Sequence, residues 1–284
     1  MPTFTEKINE QMPSMTKSHK IVASHYLEGI DKYCFYTLDE VAHEIGVSTT
    51  TVLRFARILG YSGFTEMQKD IQEELLNKIS LPERLSALQK SSDTMHDQLL
   101  ISSMQSDIDD ITKTMMSLDP NLLERAIKAI NGARSIYVLG MRSSFALAHF
   151  MGSRLAQIRP HVHIIDAGGM LYPEEFSGAS QEDLLIAFTF PRFSSITCNL
   201  LSYIKGKGIP VLMITAPDHP AIEKFADIIL PCYISSISFK NSITAPIALI
   251  NYIVAAVALE DKERSLQMVQ EIEQFLNTGN YIQG

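Results

Sequence analysis

Five short apolar runs in the second half of the chain constrain its fold most strongly. Each run is nearly continuous in apolar residues, and helical patterns separate one run from the next. Continuous apolar runs are typical of strands that helices cover on both faces. The pattern predicts a doubly wound α/β domain with a five-stranded, mostly parallel sheet. Its predicted strands are Ser135–Leu139, Val162–Ile165, Leu184–Phe190, Val211–Thr215 and Ile228–Pro231.

Hydroxyl-rich loops follow the first and third predicted strands, and each leads into a helix, the first over Phe145–Ile158. Ligands of open parallel sheets bind beyond the carboxyl ends of the strands, where helix N-termini present free N–H groups to anions. Each loop either holds an anionic ligand or only caps its helix, for which Ser and Thr are also preferred. The candidate ligand-binding residues are Gly140, Arg142, Ser143, Ser144, Arg192, Ser194, Ser195 and Thr197.

The first eighty residues show short helical patterns and no strand pattern. A helix is predicted over Thr16–Leu27, ending at Gly29. The run Thr37-Leu38-Asp39-Glu40 is a capping box that starts a second helix, which Gly46 ends. Ser48 then caps a third helix over Ser48–Leu59. Two helices joined by a tight glycine turn predict a helix-turn-helix, the arrangement that places a second helix in the major groove of DNA.

The third of these helices has two distinct faces. Val52, Phe55 and Leu59 share one face and are expected to pack inward, which leaves the remaining polar residues outside. Arg54 has the reach to contact a guanine edge in bidentate fashion, whereas hydroxyls at the helix start suit phosphates. The alternative is an ordinary helical hairpin with solvated arginines. The candidate DNA-binding residues are Ser48, Thr49, Thr50, Thr51, Arg54, Arg57 and Lys69, the last two as phosphate contacts.

A long, ordered run of these N-terminal motifs resembles the RpiR/MurR family of bacterial regulators. The run extends from Thr37-Leu38-Asp39-Glu40-Val41-Ala42 through the glycine turn to Leu59-Gly60-Tyr61-Ser62-Gly63-Phe64. The G-Y-S-G-F continuation is far more specific than a generic helix-turn-helix. The resemblance implies a DNA-binding domain of about eighty residues, in a helix-rich arrangement that forms dimers.

The second half, over about Leu118–Leu259, resembles the sugar isomerase (SIS) domain, the effector domain of the same regulators. The segments that carry the resemblance are Gly140–Ser144, Ser194–Thr197 and Ile209–Thr215, followed by Pro220 and Ala226-Asp227. It implies that Ser143, Ser144, Ser194 and Thr197 hold a phosphosugar, helped by Arg142 and Arg192. The chain departs from the commonest phosphate loop of that domain, which has a glycine where Ile196 stands, and Arg192 is a candidate for compensating with a charge-assisted bond.

The domain organisation expected from these patterns has three parts. Residues 1–80 form the helix-turn-helix domain, residues 81–117 a helical linker with the boundary near Ser91–Met95, and residues 118–284 the SIS-like domain. Acidic residues outnumber basic ones even within the first eighty residues. The acidic residues that are expected to face away from DNA are Glu40, Glu44, Asp70, Glu73 and Glu74.

Composition narrows the class of protein further. A formal charge of −8 argues against non-specific coating of nucleic acid or anionic membrane. No apolar run reaches the roughly 18 residues of a membrane helix, and the N-terminus lacks a signal-peptide core. A cytoplasmic protein without membrane contact is expected. The three cysteines lack the spacing of a metal site or redox pair, and neither a cofactor nor a metal is predicted.

Two functions fit the predicted α/β domain. The first is a sensor, in which a phosphosugar modulates the binding of operator DNA by a transcriptional regulator of carbohydrate metabolism. The alternative is an isomerase, for which Glu174, Glu175 or His219 could supply the base. We favour the sensor and expect no catalysis, because the sequence contains no recognisable acid–base pair. A homodimer or homotetramer is expected, and candidate interfaces are Ile243–Leu259 and the set Leu266, Val269, Ile272, Phe275 and Leu276.

Overall fold

A computed structural model describes residues 3–33, 36–68, 70–71, 81–90, 96–165, 173–193 and 195–278. The chain divides into two compact units. The first is Met1–Ser102 with Ile237–Lys240, and the second is Ser103–Ser236 with Asn241–Gly284. The boundary predicted near Ser91–Met95 lies outside the described residues.

The described part of the first unit is built from helices. Their bounds are α1 (Phe4–Gln11), α2 (Lys17–Tyr33), α3 (Leu38–Ile45), α4 (Thr49–Ile58) and α5 (Leu81–Lys90). The helix predicted over Thr16–Leu27 breaks at Gly29, where it was expected to end, because that residue has non-helical backbone angles (φ −148°, ψ 46°). A further helical segment continues from the break to Tyr33. Aromatic rings fill the centre of the core, where Phe55 stacks on Tyr26 at 5.9 Å between ring centroids.

A long helix, α6 (His96–Ser117), follows and contains the division between the two units. Residues 103–117, which the sequence pattern assigned to a linker, therefore belong to the second compact unit. Asp110 and Thr114 of this helix are buried in that unit, at 1% and 4% exposure.

The second unit contains a five-stranded, all-parallel sheet in the order β2-β1-β3-β4-β5. The fold class predicted from the apolar runs is confirmed. The elements are α7 (Pro120–Gly132), β1 (Ile136–Gly140), α8 (Phe145–Leu155), β2 (Val162–Ile165), β3 (Leu184–Phe188), α9 (Ser195–Gly206), β4 (Val211–Thr215), α10 (Pro220–Glu223), β5 (Ile228–Pro231), α11 (Thr244–Glu260) and α12 (Lys262–Thr278).

Helices cover both faces of the sheet, as the continuous apolar runs predicted. On one face Ile136 and Val138 of β1 pack in a cluster with residues of α7, α8 and α11. On the other face Tyr137 and Leu139 of the same strand pack with residues of α9. Alternate residues of one strand thus enter two separate cores, and burial of β1, β3 and β4 is complete along their length.

Two strands and one helix of the second unit have ends that differ from prediction. The first strand is displaced by one residue, and helix α8 ends at Leu155 instead of Ile158. The third strand ends at Phe188 instead of Phe190, although Thr189 still donates a backbone hydrogen bond to Ile214. Among the described residues no single helix is long and apolar enough to cross a membrane, and only the bent pair α11 and α12, at 108°, passes by length and composition.

Candidate functional sites

The turn between α3 and α4 is built by two caps and one glycine. Thr37 and Glu40 form a complete capping box at the start of α3. Gly46 ends that helix at φ 75°, in the left-handed region that side chains disfavour. The Val47 N–H donates to the Ala42 carbonyl at 2.9 Å, and the Ser48 hydroxyl accepts from the Thr51 N–H. The backbone of the turn is therefore satisfied locally, which fixes the direction of α4.

Helix α4 divides its residues as predicted. Val52 and Phe55 are fully buried and Leu59 is 6% exposed, whereas Arg54 and Arg57 are exposed. In the described part of the chain, neither guanidinium has a hydrogen-bond or ion-pair partner. Ser48 and Thr50 are exposed and Thr49 and Thr51 are half-exposed, although the Thr51 hydroxyl lies 2.9 Å from that of Ser48. The outer face thus presents two free cations beside a row of hydroxyls.

Two acidic residues of the first unit, Glu40 and Asp70, accept hydrogen bonds from side chains other than the arginines of α4. The backbone N–H and hydroxyl of Thr37 hold the pKa of the Glu40 carboxyl below its ordinary value. Asp70 accepts hydrogen bonds from Lys7, at 3.0 Å, and from Tyr61. These carboxylates have partners other than Arg54 and Arg57, which leaves the arginines available to an anionic ligand. Lys69, Glu73 and Glu74 lie outside the described residues.

The loop after β1 packs closely around a glycine. A Cβ atom placed on Gly140 would lie 2.2 Å from the Ser144 carbonyl oxygen, so only glycine fits here. Residues Arg142–Ser144 form one 3₁₀ turn, and Arg142 adopts φ 55°. Ser144 precedes α8, yet its hydroxyl makes no capping bond. For this loop, the helix-capping interpretation leaves the Ser144 hydroxyl unexplained.

The loop after β3 resembles the loop after β1 in two ways, because it also contains an arginine with a positive φ and a buried hydroxyl residue. Arg192 is exposed and adopts φ 71°. Thr197, in the first turn of α9, is 4% exposed, and Ser195 is exposed. Ser194 lies outside the described residues. Left-handed conformations of arginine are uncommon, and such strained residues cluster at functional loops.

Sheet topology brings these two loops side by side. Gly140 and Phe188 are register partners at the carboxyl ends of neighbouring strands β1 and β3. The chain leaves β1 toward α8 on one face and leaves β3 toward α9 on the other. A crevice is expected at such a reversal, the place where open α/β sheets bind ligands.

A third loop, after β4, joins the same edge, and its geometry was not predicted from the sequence. Asp218 adopts φ 64°, and the His219 ring lies edge-on to Phe193 at 5.4 Å between centroids. Burial lowers the pKa of His219 below its ordinary value. The His219 N–H donates to Glu223 at 2.8 Å, which fixes the backbone of this loop. The Pro217-Asp218-His219 run gave the signal of a turn but not of its contact with Phe193.

The chain matches two family models. Residues 3–78 match the helix-turn-helix domain of the rpiR family, and residues 129–256 match the SIS domain. An uncharacterized HTH-type transcriptional regulator of Providencia stuartii is 25% identical over 253 residues, covering 87% of this chain and 86% of the relative.

Two solved structures resemble the chain. The sugar isomerase domain of an RpiR transcription factor from Sphaerobacter thermophilus is 25% identical, with a TM-score of 0.59 over 62% of this chain and 99% of that domain. The Vibrio vulnificus NanR protein, solved with ManNAc-6P, is 19% identical with a TM-score of 0.58, over 96% of this chain and 98% of that protein.

Proposed function

The chain belongs to the rpiR family of helix-turn-helix transcriptional regulators, and we propose that an anionic sugar bound at the strand-end loops controls its operator binding. One observation carries the proposal. The chain joins a helix with two exposed arginines, which have no partner among the described residues, to a sheet whose carboxyl edge holds hydroxyl-rich loops. Each of these loops contains an arginine with a positive φ.

In the DNA-binding unit, α4 is the recognition helix. Arg54 reads a guanine edge through O6 and N7, because a guanidinium can donate two parallel hydrogen bonds. The hydroxyls of Ser48, Thr49, Thr50 and Thr51 contact phosphates at the helix start. Arg57 and Lys69 add phosphate contacts. Because the chain is acidic overall, sequence readout contributes more to binding than bulk attraction to DNA does.

In the second unit, the effector is a phosphosugar that lies across the ends of β1 and β3. Gly140, Ser143 and Ser144 approach it from one strand, with the start of α8 behind them. The phosphate is matched by Arg142 and Arg192, whose guanidinium groups form strong charge-assisted bonds to phosphate. NanR was solved with a phosphosugar, which makes this ligand class the first to test. The residues assigned to the site from the second loop are Arg192, Ser194, Ser195 and Thr197.

We infer that this site binds its ligand without converting it. Glu174 is exposed to solvent, and the His219 ring packs against Phe193. The similar full-length relative is named as a regulator. An isomerase would instead turn over the sugar phosphate that binds.

Coupling between the two functions runs through the end of the sheet to α6. The Thr215 carbonyl, at the end of β4, accepts the Cys232 N–H at 2.8 Å. The Thr114 hydroxyl of α6 accepts the next backbone N–H, that of Tyr233, at 3.0 Å and lies 3.7 Å from the Cys232 sulfur. Helix α6 contains the division between the units. A ligand that favours one position of this helix therefore also changes the affinity of the DNA-binding unit for the operator.

An operator selected from a random DNA library provides the test. Arg54→Ala is expected to weaken binding by about 5- to 150-fold and to relax the preference at one base pair, since a bidentate contact is worth about 1–3 kcal/mol. Arg57→Ala is the matched control, and it should weaken binding to all sequences and lower the salt dependence by about one phosphate contact. Unchanged operator affinity of Arg54→Ala would contradict the assignment.

Sugar phosphates are then screened by thermal shift, with the unphosphorylated sugars as controls. A sugar phosphate that binds should raise the unfolding temperature of the chain and change its affinity for the operator. NMR spectra recorded after incubation should show the sugar phosphate unaltered. Absence of binding by every sugar phosphate would overturn the effector proposal, and conversion of the bound sugar phosphate would favour the isomerase.

A further inference from the structure

Helix α6 turns polar side chains toward the second compact unit. Asp107 accepts hydrogen bonds from the hydroxyls of Ser242, at 2.6 Å, and Thr244, at 3.0 Å. Thr114 is bonded to Tyr233, and Asp110 is 1% exposed. The contacts that hold the helix here are therefore largely polar, the reverse of an ordinary amphipathic helix.

The apolar side chains of α6 point to solvent instead. They recur with spacings of three, four, three and four residues, which are the a and d positions of a heptad repeat. Their exposures are Ile101 67%, Met104 57%, Ile108 54%, Ile111 36% and Met115 67%. We call these five residues the α6 seam. A contiguous exposed apolar surface of this kind marks an interaction site.

The spacing indicates what covers the seam. A 3.5-residue repeat keeps a stripe facing a second helix of the same pitch over its whole length, here about 21 Å between residues 101 and 115. Two isolated helices of only two heptads each associate weakly, because each chain must first become helical. In this protein the contacts of Asp107 and Thr114 already hold the helix, so pairing does not have to order it.

Charge also permits an identical helix to approach. The flanking positions beside the centre of the seam hold Gln105, Thr112 and Thr114, none of which carries a charge. The fourth, Asp107, has its carboxylate between two hydroxyl donors. Like charges at such positions oppose self-pairing, and here the one carboxylate at these four positions is held toward Ser242 and Thr244.

We propose that the α6 seam is covered by the α6 seam of a second copy of this chain. The exposed apolar residues of α12 are a poorer match, because Leu266, Val269 and Phe275 do not fill consecutive heptad positions. The proposal rests on the seam alone and holds whether or not the strand-end loops bind a phosphosugar.

Two adjacent methionines provide a matched test in the full chain. Met115 lies in the seam, whereas Met116, which is 80% exposed, lies about 100° around the helix from it. Sedimentation of a dilution series should show that Met115→Lys raises the dissociation constant of the self-associated form at least tenfold. Met116→Lys should change it less than twofold. Both side chains are exposed, so the thermal unfolding profiles of the two variants should be the same at concentrations low enough for both to be dissociated.

A photo-crosslinker in place of Ile108 identifies the partner surface. Crosslinked dimers whose peptides map to residues 96–117 of both copies would support the proposal. Crosslinks within one chain, or to another segment of the second copy, would overturn it. It would also be overturned if the parent chain were monomeric, if Met115→Lys left self-association intact, or if Leu266→Lys on α12 abolished self-association instead.

Discussion

The two functional regions each begin with a glycine turn, but the glycines serve different physical needs. Gly46, before the recognition helix, adopts φ 75° in open space, and a Cβ atom added there would meet no other atom within 4 Å. Gly140, before α8, has no positive φ to maintain, yet the Ser144 carbonyl carbon and oxygen occupy the place of a side chain. The glycine before α4 is therefore required by local backbone conformation, and the glycine before α8 is required by close packing.

The same contrast extends to the residues around each turn. The proposed DNA-reading face is one side of helix α4. Helical spacing separates it from the buried side, which stabilises the fold. The strand-end site is assembled from loops about 50 residues apart in sequence, which only the sheet brings together. In the first region, substitutions on the buried side of α4 should reduce stability, and substitutions on the exposed side should reduce DNA affinity. In the second region, a single substitution should alter turn geometry and ligand binding together.

The largest effect is expected for Phe55→Ala in the buried side of α4. Phe55 is fully buried and stacked on Tyr26, so the substitution should destabilise the first unit by about 3–5 kcal/mol. Operator binding should fall with folding while effector binding by the second unit persists. Calorimetry with and without the effector checks this, and loss of both activities together would show that the two units do not fold separately.

A smaller effect, about 1–3 kcal/mol, is expected for Gly140→Ala, because an added methyl group must displace the Ser144 backbone. Effector affinity should fall at least tenfold, and operator affinity without effector should stay near that of the parent. Ligand titration by calorimetry together with gel shifts measures both. Undiminished effector affinity would mean that the loop after β1 does not contact the ligand.

Asp183 tests the opposite edge of the same sheet. Hydrogen bonds from Arg134 hold the pKa of its carboxyl below the ordinary value, and Ser135 and Ser180 N–H groups also donate to it. Asp183→Asn should cost about 1.5 kcal/mol at neutral pH. A carboxyl with a lowered folded-state pKa stabilises the fold above its unfolded pKa, and this stabilisation is lost as pH falls through its folded pKa.

The difference in unfolding free energy between Asp183→Asn and the parent should therefore shrink in acid. Urea denaturation at neutral pH and at several acidic values provides the measurement. Effector affinity should be unchanged, because Asp183 precedes β3 and lies away from the strand-end loops. A difference that grew in acid would contradict the assigned role of the carboxylate.

The smallest effect is expected for Gly46→Ala. Nothing obstructs the methyl group, so the cost is only that of the left-handed backbone, about 1 kcal/mol. Thermal unfolding should detect this loss, and operator affinity at temperatures where the unit is folded should stay within a few-fold of the parent. A cost larger than that of Gly140→Ala would reverse the distinction between the two turns.

Local sequence determined the parts of this protein whose causes are local. The bounds of α3 and of strands β2, β4 and β5 were predicted correctly, because caps, turns and apolar runs act over a few residues. The buried face of α4 followed from helical periodicity. The break at Gly29 was also predicted from the local sequence, although the helical segment that follows it, up to Tyr33, was not.

Tertiary structure decided what depends on distant parts of the chain. The order β2-β1-β3-β4-β5 sets which loops are neighbours, and no pattern within one strand encodes its neighbours. The left-handed φ of Arg142 and Arg192 could not be predicted, because arginine rarely adopts it without surrounding constraint. Likewise, the repeat of α6 was present in the sequence, but only its polar contacts within the second unit left the seam exposed. Spacing predicts which residues share a face, whereas packing decides which face is buried.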